Sequence, residues 1–335
     1  MAKIRIATFN VENLLQRFNF YSYGKLKTER ALRLLGVDTF EEDMMLRNAF
    51  NVSLTDDSRQ MTAQAIRDTE ADIIALQEIE NKEILDDFHE FYLKKSAGVN
   101  YGWRRLIEGN DRRGIDVAVM SKPRIKVQSH AEKTFGELNL FNNDLEEYGE
   151  SPGDRVFRRD CLEVEVKIND KILALFICHL KSLCNGRDET MPIRLAEAET
   201  VRKIIEDKFG DNVSEADWII LGDMNDYIFH QGNPVQKHGI EPFFRDNFSV
   251  NLVDNLPQKD RWTHYFPKDG TFHQFDYILV SPGIAAKNQN VKPDIIRHGL
   301  PDRVPGIEKL YRYSRMGFDR PKASDHCPVA VTLSI

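Results

Sequence analysis

Leu162, Val164, Val166 and Ile168 alternate with Glu163, Glu165 and Lys167, the two-residue period of a strand with one buried and one wet face. Asn169-Asp170 then forms a two-residue hairpin turn into the apolar run Lys171–His179. Strand patterns also occupy Lys3–Val11, Ala71–Ile79, Ile115–Ser121, Asp217–Gly222, Phe275–Ser281 and Cys327–Ile335. Two of them, 71–79 and 217–222, are apolar nearly throughout, as in central strands covered on both faces. Helical spacing fits between. Thr190 is placed to cap a helix with Pro192 in its first turn, a buried stripe of Leu195, Val201, Ile204, Ile205 and Phe209, and Gly210 beyond its end. A second helix is predicted from about Arg59 to Thr69, and Leu32, Leu34, Leu35, Met44, Met45 and Leu46 predict helical structure within 26–50.

Strands outnumber helices, and hairpins coexist with strand–helix–strand units. This predicts an α/β fold of two mixed sheets packed together with outer helices rather than a doubly wound parallel sheet. No repeat or low-complexity linker divides the chain, so residues 1–335 read as one domain with polar, charged insertions near 17–58, 128–157 and 283–323. Loops of that length in a compact domain tend to carry function.

Composition narrows the class. Aromatics at 10% and hydrophobics at 41% exclude disorder. The start, Met1-Ala2-Lys3-Ile4-Arg5-Ile6, alternates like a strand and lacks the apolar core of a signal peptide, which predicts a cytoplasmic protein without stable membrane association. Cys161, Cys178, Cys184 and Cys327 have neither disulfide-framework density nor metal-cage spacing and read as free thiols. The net charge of −7 disfavours a strong nonspecific nucleic-acid binder. Residues 297–322, however, hold seven Lys/Arg against three acids, interleaved with Tyr311, Tyr313 and Phe318. A solvated charged surface and a substrate contact both fit that loop.

The candidate chemistry sits where strands end or begin. The segments are Asn10 with Glu12 and Asn13, Leu76-Gln77-Glu78, Gly114-Ile115-Asp116, Cys178-His179-Leu180, Gly222-Asp223-Met224-Asn225-Asp226, Phe275-Asp276-Tyr277 and Ser324-Asp325-His326. Taken singly, Asn10 suits a turn, Glu78 a helix start, His179 a structural hydrogen bond and Asp276 a surface ion pair. Recurrence at strand ends favours a site, because functional groups collect where strands meet loops. Carboxylates with an amide suit a hard, oxygen-loving cation such as Mg2+, with Mn2+ or Ca2+ as substitutes, and no Cys/His cluster offers a zinc cage. Ser182 and Cys184 lie near His179, but no Gly-x-Ser-x-Gly elbow supports a nucleophile.

Thr8-Phe9-Asn10-Val11-Glu12-Asn13, Leu76-Gln77-Glu78, Cys178-His179-Leu180, Gly222-Asp223-Met224-Asn225, Phe275-Asp276-Tyr277-Ile278-Leu279 and Ser324-Asp325-His326 together resemble, in order and across nearly the whole chain, the endonuclease/exonuclease/phosphatase superfamily shared by DNase I and abasic-site endonucleases. The resemblance implies a DNase I-like four-layer α/β sandwich. It also implies roles: Glu78, Asn10 and Asp325 for the metal; Asp223 to orient or deprotonate the attacking water; Asn225 to fix its geometry and contact the phosphate. His326, held by Asp276, would hydrogen-bond the scissile phosphate, and His179, paired with Asp116, would assist the leaving oxygen. Arg159 falls where DNase-like members keep a phosphate-contacting arginine, with Arg158 and Arg155 as close competitors. Bacterial nuclease-like members look most similar, notably in Phe9–Leu14, Arg113–Asp116 and Asp160–Val164.

The resulting expectation is a Mg2+-dependent phosphodiesterase that hydrolyses nucleic acid, with DNA as substrate and endonuclease action, by direct attack of water. No protein partner is inferred. A lipid or small-molecule phosphoesterase of the sphingomyelinase or inositol-phosphate phosphatase type is the enzymatic alternative; a catalytically silent binding module is the non-enzymatic one. His230, His238, His264, His273 and His298 match no motif and read as solvent or loop residues, while Trp262, Tyr265 and Phe266 read as packing.

Overall fold

The computed structural model describes residues 2–14, 56–111, 113–184 and 186–335. The helix predicted within 26–50 and most of the 17–58 stretch lie outside the described residues. The principal strands are β1 (Lys3–Leu14), β2 (Ile73–Ile79), β3 (Trp103–Leu106), β4 (Asp116–Ser121), β5 (Ile125–Gln128), β6 (Cys161–Ile168), β7 (Lys171–His179), β8 (Trp218–Asp223), β9 (Asp276–Val280) and β10 (Val329–Ser334). Among the described residues they form two six-stranded sheets, each completed by a short edge strand. One runs Asp294–Ile295, β10, β1, β2, β4, β3; the other runs Val250–Asn251, β9, β8, β7, β6, β5. Each has one parallel pair at its centre, β1 with β2 and β7 with β8, flanked by antiparallel neighbours.

Period-two alternation makes each sheet two-faced, and both inner faces are apolar. Ile4, Ile6, Ile73, Val117 and Val119 from one sheet join Leu162, Val164, Leu175, Leu221 and Ile278 from the other in a single buried cluster. Fully burying such side chains contributes about 1.5–3 kcal/mol each. The opposite faces carry helices. Ala7, Phe9, Ile74 and Leu76 pack against Met61 and Ile66 of the helix at 56–68 and against Leu85 and Phe88 of helix Lys82–Phe88. On the second sheet Phe176, Trp218, Ile220 and Tyr277 pack against Val201, Ile204 and Ile205 of helix Arg187–Phe209. Helix, sheet, sheet and helix give the four-layer sandwich expected of a DNase I-like fold. No helix among the described residues is long and apolar enough to cross a membrane.

Three sequence-based readings need correction. The long helix begins at Arg187, after Gly186, so Thr190 is not its N-cap; its hydroxyl donates to Gly186 O at 2.7 Å and accepts from Arg194 Nη1 at 2.6 Å. The stretch 128–157 is not merely a polar loop: Phe135, Leu138, Leu145 and Val156 pack on Ile193 and Ala196 of that helix. Much of the basic stretch 297–322 is paired, Arg303 to Asp319 (2.7 Å) and Arg312 to Asp302 (3.1 Å) within it and Arg315 to Asp57 (2.6 Å) outside it.

Candidate active site

Strand direction decides which side chains can meet. β1 and β2 are parallel, so Asn10 and Glu78 leave the first sheet at one rim, and antiparallel β4 starts there with Asp116 opposite Ile79. In the second sheet His179 lies opposite Asp223 on parallel β8, and Asp276 opens antiparallel β9 opposite the same Asp223. Ser324-Asp325-His326 precedes β10, whose Val329 pairs with Thr8. Thus residues far apart in sequence share one rim of the sandwich.

Local backbone irregularities aim them. The ladder slips between Gln77 and Ile79, and Glu78 sits in this bulge with φ of 68°. A bulge re-aims a side chain that regular pleating would send elsewhere. Asn225 is also left-handed, with φ of 47°. Such non-glycine conformations cost on the order of 1 kcal/mol and persist where the surroundings hold them. Gly222 has no freedom to change: a Cβ there would lie 1.9 Å from the Cys178 carbonyl oxygen, so only glycine lets β8 approach β7 beside Asp223.

Hydrogen bonds tie the set together. Asn10 Nδ2 donates to Asp223 Oδ2 at 3.0 Å and to Glu78 Oε1 at 3.3 Å. Asp223 Oδ1 accepts from the Asn225 backbone N–H at 2.8 Å, and Asn225 Nδ2 donates to Leu180 O at 3.1 Å. His326 Nδ1 is 2.8 Å from Asp276 Oδ2, while its Nε2 is 3.7 Å from Asp223 Oδ2. His179 Nε2 lies 3.6 Å from Asp223 Oδ2 and 3.9 Å from Glu78 Oε1. The expected His179–Asp116 pair does not form: Asp116 Oδ1 accepts from Gly109 N–H at 2.8 Å, and His179 Nδ1 is buried with no partner among the described residues. Arg159 is buried, its Nε 3.0 Å from Asp111 Oδ2, and its Nη1 donates to Leu180 O at 3.1 Å. Its competitors point into other ion pairs, Arg158 with Glu150 and Arg155 with Glu132.

Burial and mutual charge split the titrations. Desolvation raises Asp223 to about 7, against the opposing pull of His326. Burial would lower His326, but Asp276 and Asp223 outweigh it and hold the imidazole protonated well above its usual range. Burial and the nearby Arg159 cation keep His179 neutral. Desolvation and the charge of Asp325 raise Glu78, whereas Asp325, desolvated in turn, is held down to about 2 by His326 and Lys322. Desolvation raises Asp116 to about 6.

Two participants escaped the sequence reading. Glu12 is raised to about 7 by burial and by Asp325 while pairing with Lys322 and Arg320, both at 2.9 Å. Glu12 belonged to a quoted motif, but its distant cationic partners gave no signal. His264 was read as a solvent or loop residue; it is buried, bridges to His326 through the backbone, and brings Nε2 to 4.0 Å from Asp325 Oδ2. His273 is likewise buried rather than solvent-facing. Neither histidine stands in a motif.

The donor chemistry fits a divalent cation. His264, Asp325 and His326 bring ligand atoms within 4.8 Å of one another, as do Asp223, Asp276 and His326. The repulsion between Glu78 and Asp325 is what a bound cation relieves, and the mainly oxygen donors suit a hard ion.

A model of the Endonuclease/Exonuclease/phosphatase family matches residues 48–296. No curated protein matches the chain by sequence. Truncated Caenorhabditis elegans TDP2 superposes with a TM-score of 0.55 at 14% identity, covering 99% of this chain and 98% of that one. SmcL gives 0.54 at 14% identity over 99% of both chains. A Staphylococcus aureus beta toxin gives 0.53 at 14% identity, covering 98% of this chain and 99% of the toxin. At such identities the likeness establishes the fold alone.

Proposed function

Because the chain belongs to the endonuclease/exonuclease/phosphatase family, whose chemistry is phosphoester hydrolysis, we propose that its rim site cleaves phosphodiesters of nucleic acid, DNA foremost, as a Mg2+-dependent endonuclease. The observation that carries this reading is the contiguous array Asp276–His326–Asp223–Asn10–Glu78, joined by contacts of 2.8 to 3.7 Å. It pairs a protonated imidazole with a carboxylate near neutrality, the two proton-handling groups that water attack on a phosphodiester requires.

In this reading Asp223 Oδ2 takes the proton of the attacking water, with the Asn225 backbone N–H and Asn10 fixing the carboxylate. His326 presents Nε2–H to a non-bridging phosphate oxygen, and Asp276 keeps its ring oriented and charged. His179, neutral and enclosed, is a donor for the leaving oxygen, and Arg159 adds positive potential from behind. Asp116 supports the rim through Gly109 rather than by gripping His179. Glu78, Asn10 and Asp325 would hold a divalent cation, which would neutralise phosphate charge and polarise the ester. The intact array weighs against a silent binding module.

One observation favours lipid phosphoester as a second substrate class. Tyr311 and Phe318 are 69% and 74% exposed on the loop between β9 and β10, where apolar rings could meet a lipid surface. Purified protein with Mg2+, Mn2+ or Ca2+, offered closed circular and linear DNA, RNA and sphingomyelin, separates the readings. Nicking of closed circles is expected; hydrolysis of sphingomyelin with inert plasmid would transfer the assignment to the lipid class.

A further inference from the structure

Beside the rim lies a cavity of about 680 Å³, walled by the loop that follows Asp226 and by the hairpin that precedes Asp276. Its size is that of a small-molecule site, and rings dominate its walls: Tyr227, Phe229, Trp262 and Phe272. Three of these are held in place. Tyr227 contacts the Arg187 guanidinium (4.4 Å) and stacks on His273 (4.2 Å), and Trp262 contacts Arg297 (4.1 Å) and the tilted ring of Phe272 (4.7 Å). Phe229 is different: it has no ring or cation contact among the described residues and is half-buried at the wall.

The polar lining specifies the ligand further. Gln231, Gln258 and Gln274 bring amides able to donate and accept, and Gln258 Nε2 donates to Gly232 O at 2.9 Å, joining two walls. Lys259 and Arg261 contribute positive charge, Arg261 being paired with Asp254 outside the lining. Among the described residues no Asp or Glu lines the cavity, although the chain carries 53 acids. Rings, amides and cations, with no acid among the described lining residues, match a base attached to a phosphate. The cavity is also anchored to the chemistry. Thr263 Oγ1, next to Trp262, accepts the backbone N–H groups of Phe275 (3.0 Å) and Asp276 (3.1 Å), and Tyr277 O–H donates to Asp226 O at 3.2 Å.

We propose that this cavity is a nucleobase-binding subsite that seats a nucleotide neighbouring the scissile phosphodiester. It rests on the nucleic-acid reading and deepens it, with Phe229 as the stacking platform and the glutamine amides on the base edge. Base–ring stacking tolerates every base, so the subsite favours nucleic acid over other phosphoesters without imposing a sequence.

Calorimetric titration of the full chain in EDTA with thymidine 3′,5′-bisphosphate tests binding apart from hydrolysis. The nucleotide should bind at least about tenfold more tightly than baseless deoxyribose 5-phosphate, and Phe229→Ala should remove about tenfold, the scale of one lost stack. Gln258→Glu, an exposed substitution that places an acid in the lining, should also weaken the nucleotide and guards against a folding defect in Phe229→Ala. Equal affinity for nucleotide and baseless sugar phosphate, or indifference to both substitutions, would overturn the proposal. With Mg2+, the ratio of kcat/KM for thymidine 5′-(p-nitrophenyl phosphate) to that for methyl p-nitrophenyl phosphate should fall about tenfold in Phe229→Ala. An unchanged ratio would count against the subsite. If wild-type protein hydrolyses neither ester, the hydrolase reading fails while the titration in EDTA still decides the cavity.

Discussion

His326 concentrates the chemistry in one side chain. Its Nδ1 lies 2.8 Å from a buried aspartate and its Nε2 3.7 Å from the candidate base, so in the proposed reaction one imidazole would link proton donation to the carboxylate that would activate water. His326→Ala should lower kcat on a small phosphodiester by at least about 10²-fold, as for loss of a positioned acid. Its unfolding midpoint should fall as well, because buried Asp276 loses its imidazole partner, while a fold still present at the assay temperature keeps the kinetic loss interpretable. Parallel kinetics and thermal unfolding check both halves of the expectation, and near-normal turnover would remove His326 from the reaction. Asp325 and His326 stood out in sequence because an acid beside a histidine at a strand mouth is visible locally. His264 did not, since only the backbone bridge between residues 264 and 326 brings it there.

At the scale of elements, β-strands and the end of the long helix at Gly210 were legible, and its start was not. The alternation in β6 and the Asn169-Asp170 turn are local signals, and the observed ladder pairs Ile168 with Lys171 across that turn. The start of the long helix misled because threonine is a good cap, yet Thr190 is used inside the first turn to hold Arg194. The helix after β2 passes into a π-helical segment, His89–Ala97, that no periodicity announced. Its first residue is held neutral: His89 Nε2 accepts the Tyr101 N–H at 2.9 Å, and burial with the nearby Arg104 cation lowers the imidazole from 6.5 to about 4. The unfolded chain therefore binds the proton more readily than the folded one between those values. This contribution is fully present above pH about 6.5 and is lost as pH falls toward 4, at most about 3 kcal/mol. Urea unfolding at pH 7.5 and 4.5 should show a smaller acid destabilisation in His89→Gln than in wild type. Equal pH sensitivity would dismiss His89 as a source of acid lability.

Across the whole molecule, the order of motifs revealed more than any one of them. The four-layer sandwich was readable because strand ends with polar groups recur in a fixed sequence, and two sheets with parallel centres gather those ends at one rim. What could not be read was pairing at a distance. The net positive balance of residues 297–322 fitted both a solvated surface and a substrate contact, but it gave no sign that Asp57, Asp302 and Asp319 pair with Arg315, Arg312 and Arg303, or that Glu12 pairs with Arg320 and Lys322. Similarly, Asp116 was matched to His179 by role, whereas Gly109 lies close enough to satisfy it.

The central claim is that these strand ends form one cation-dependent phosphodiester site, and its most direct test is the Mg2+ dependence of bis(p-nitrophenyl) phosphate hydrolysis by wild type and Glu78→Gln. The wild-type rate should saturate with Mg2+, vanish in EDTA and return on adding the metal, while Glu78→Gln should need at least about tenfold more Mg2+, as for loss of an anionic oxygen ligand. A rate indifferent to EDTA, or the same Mg2+ dependence in both proteins, would contradict the account.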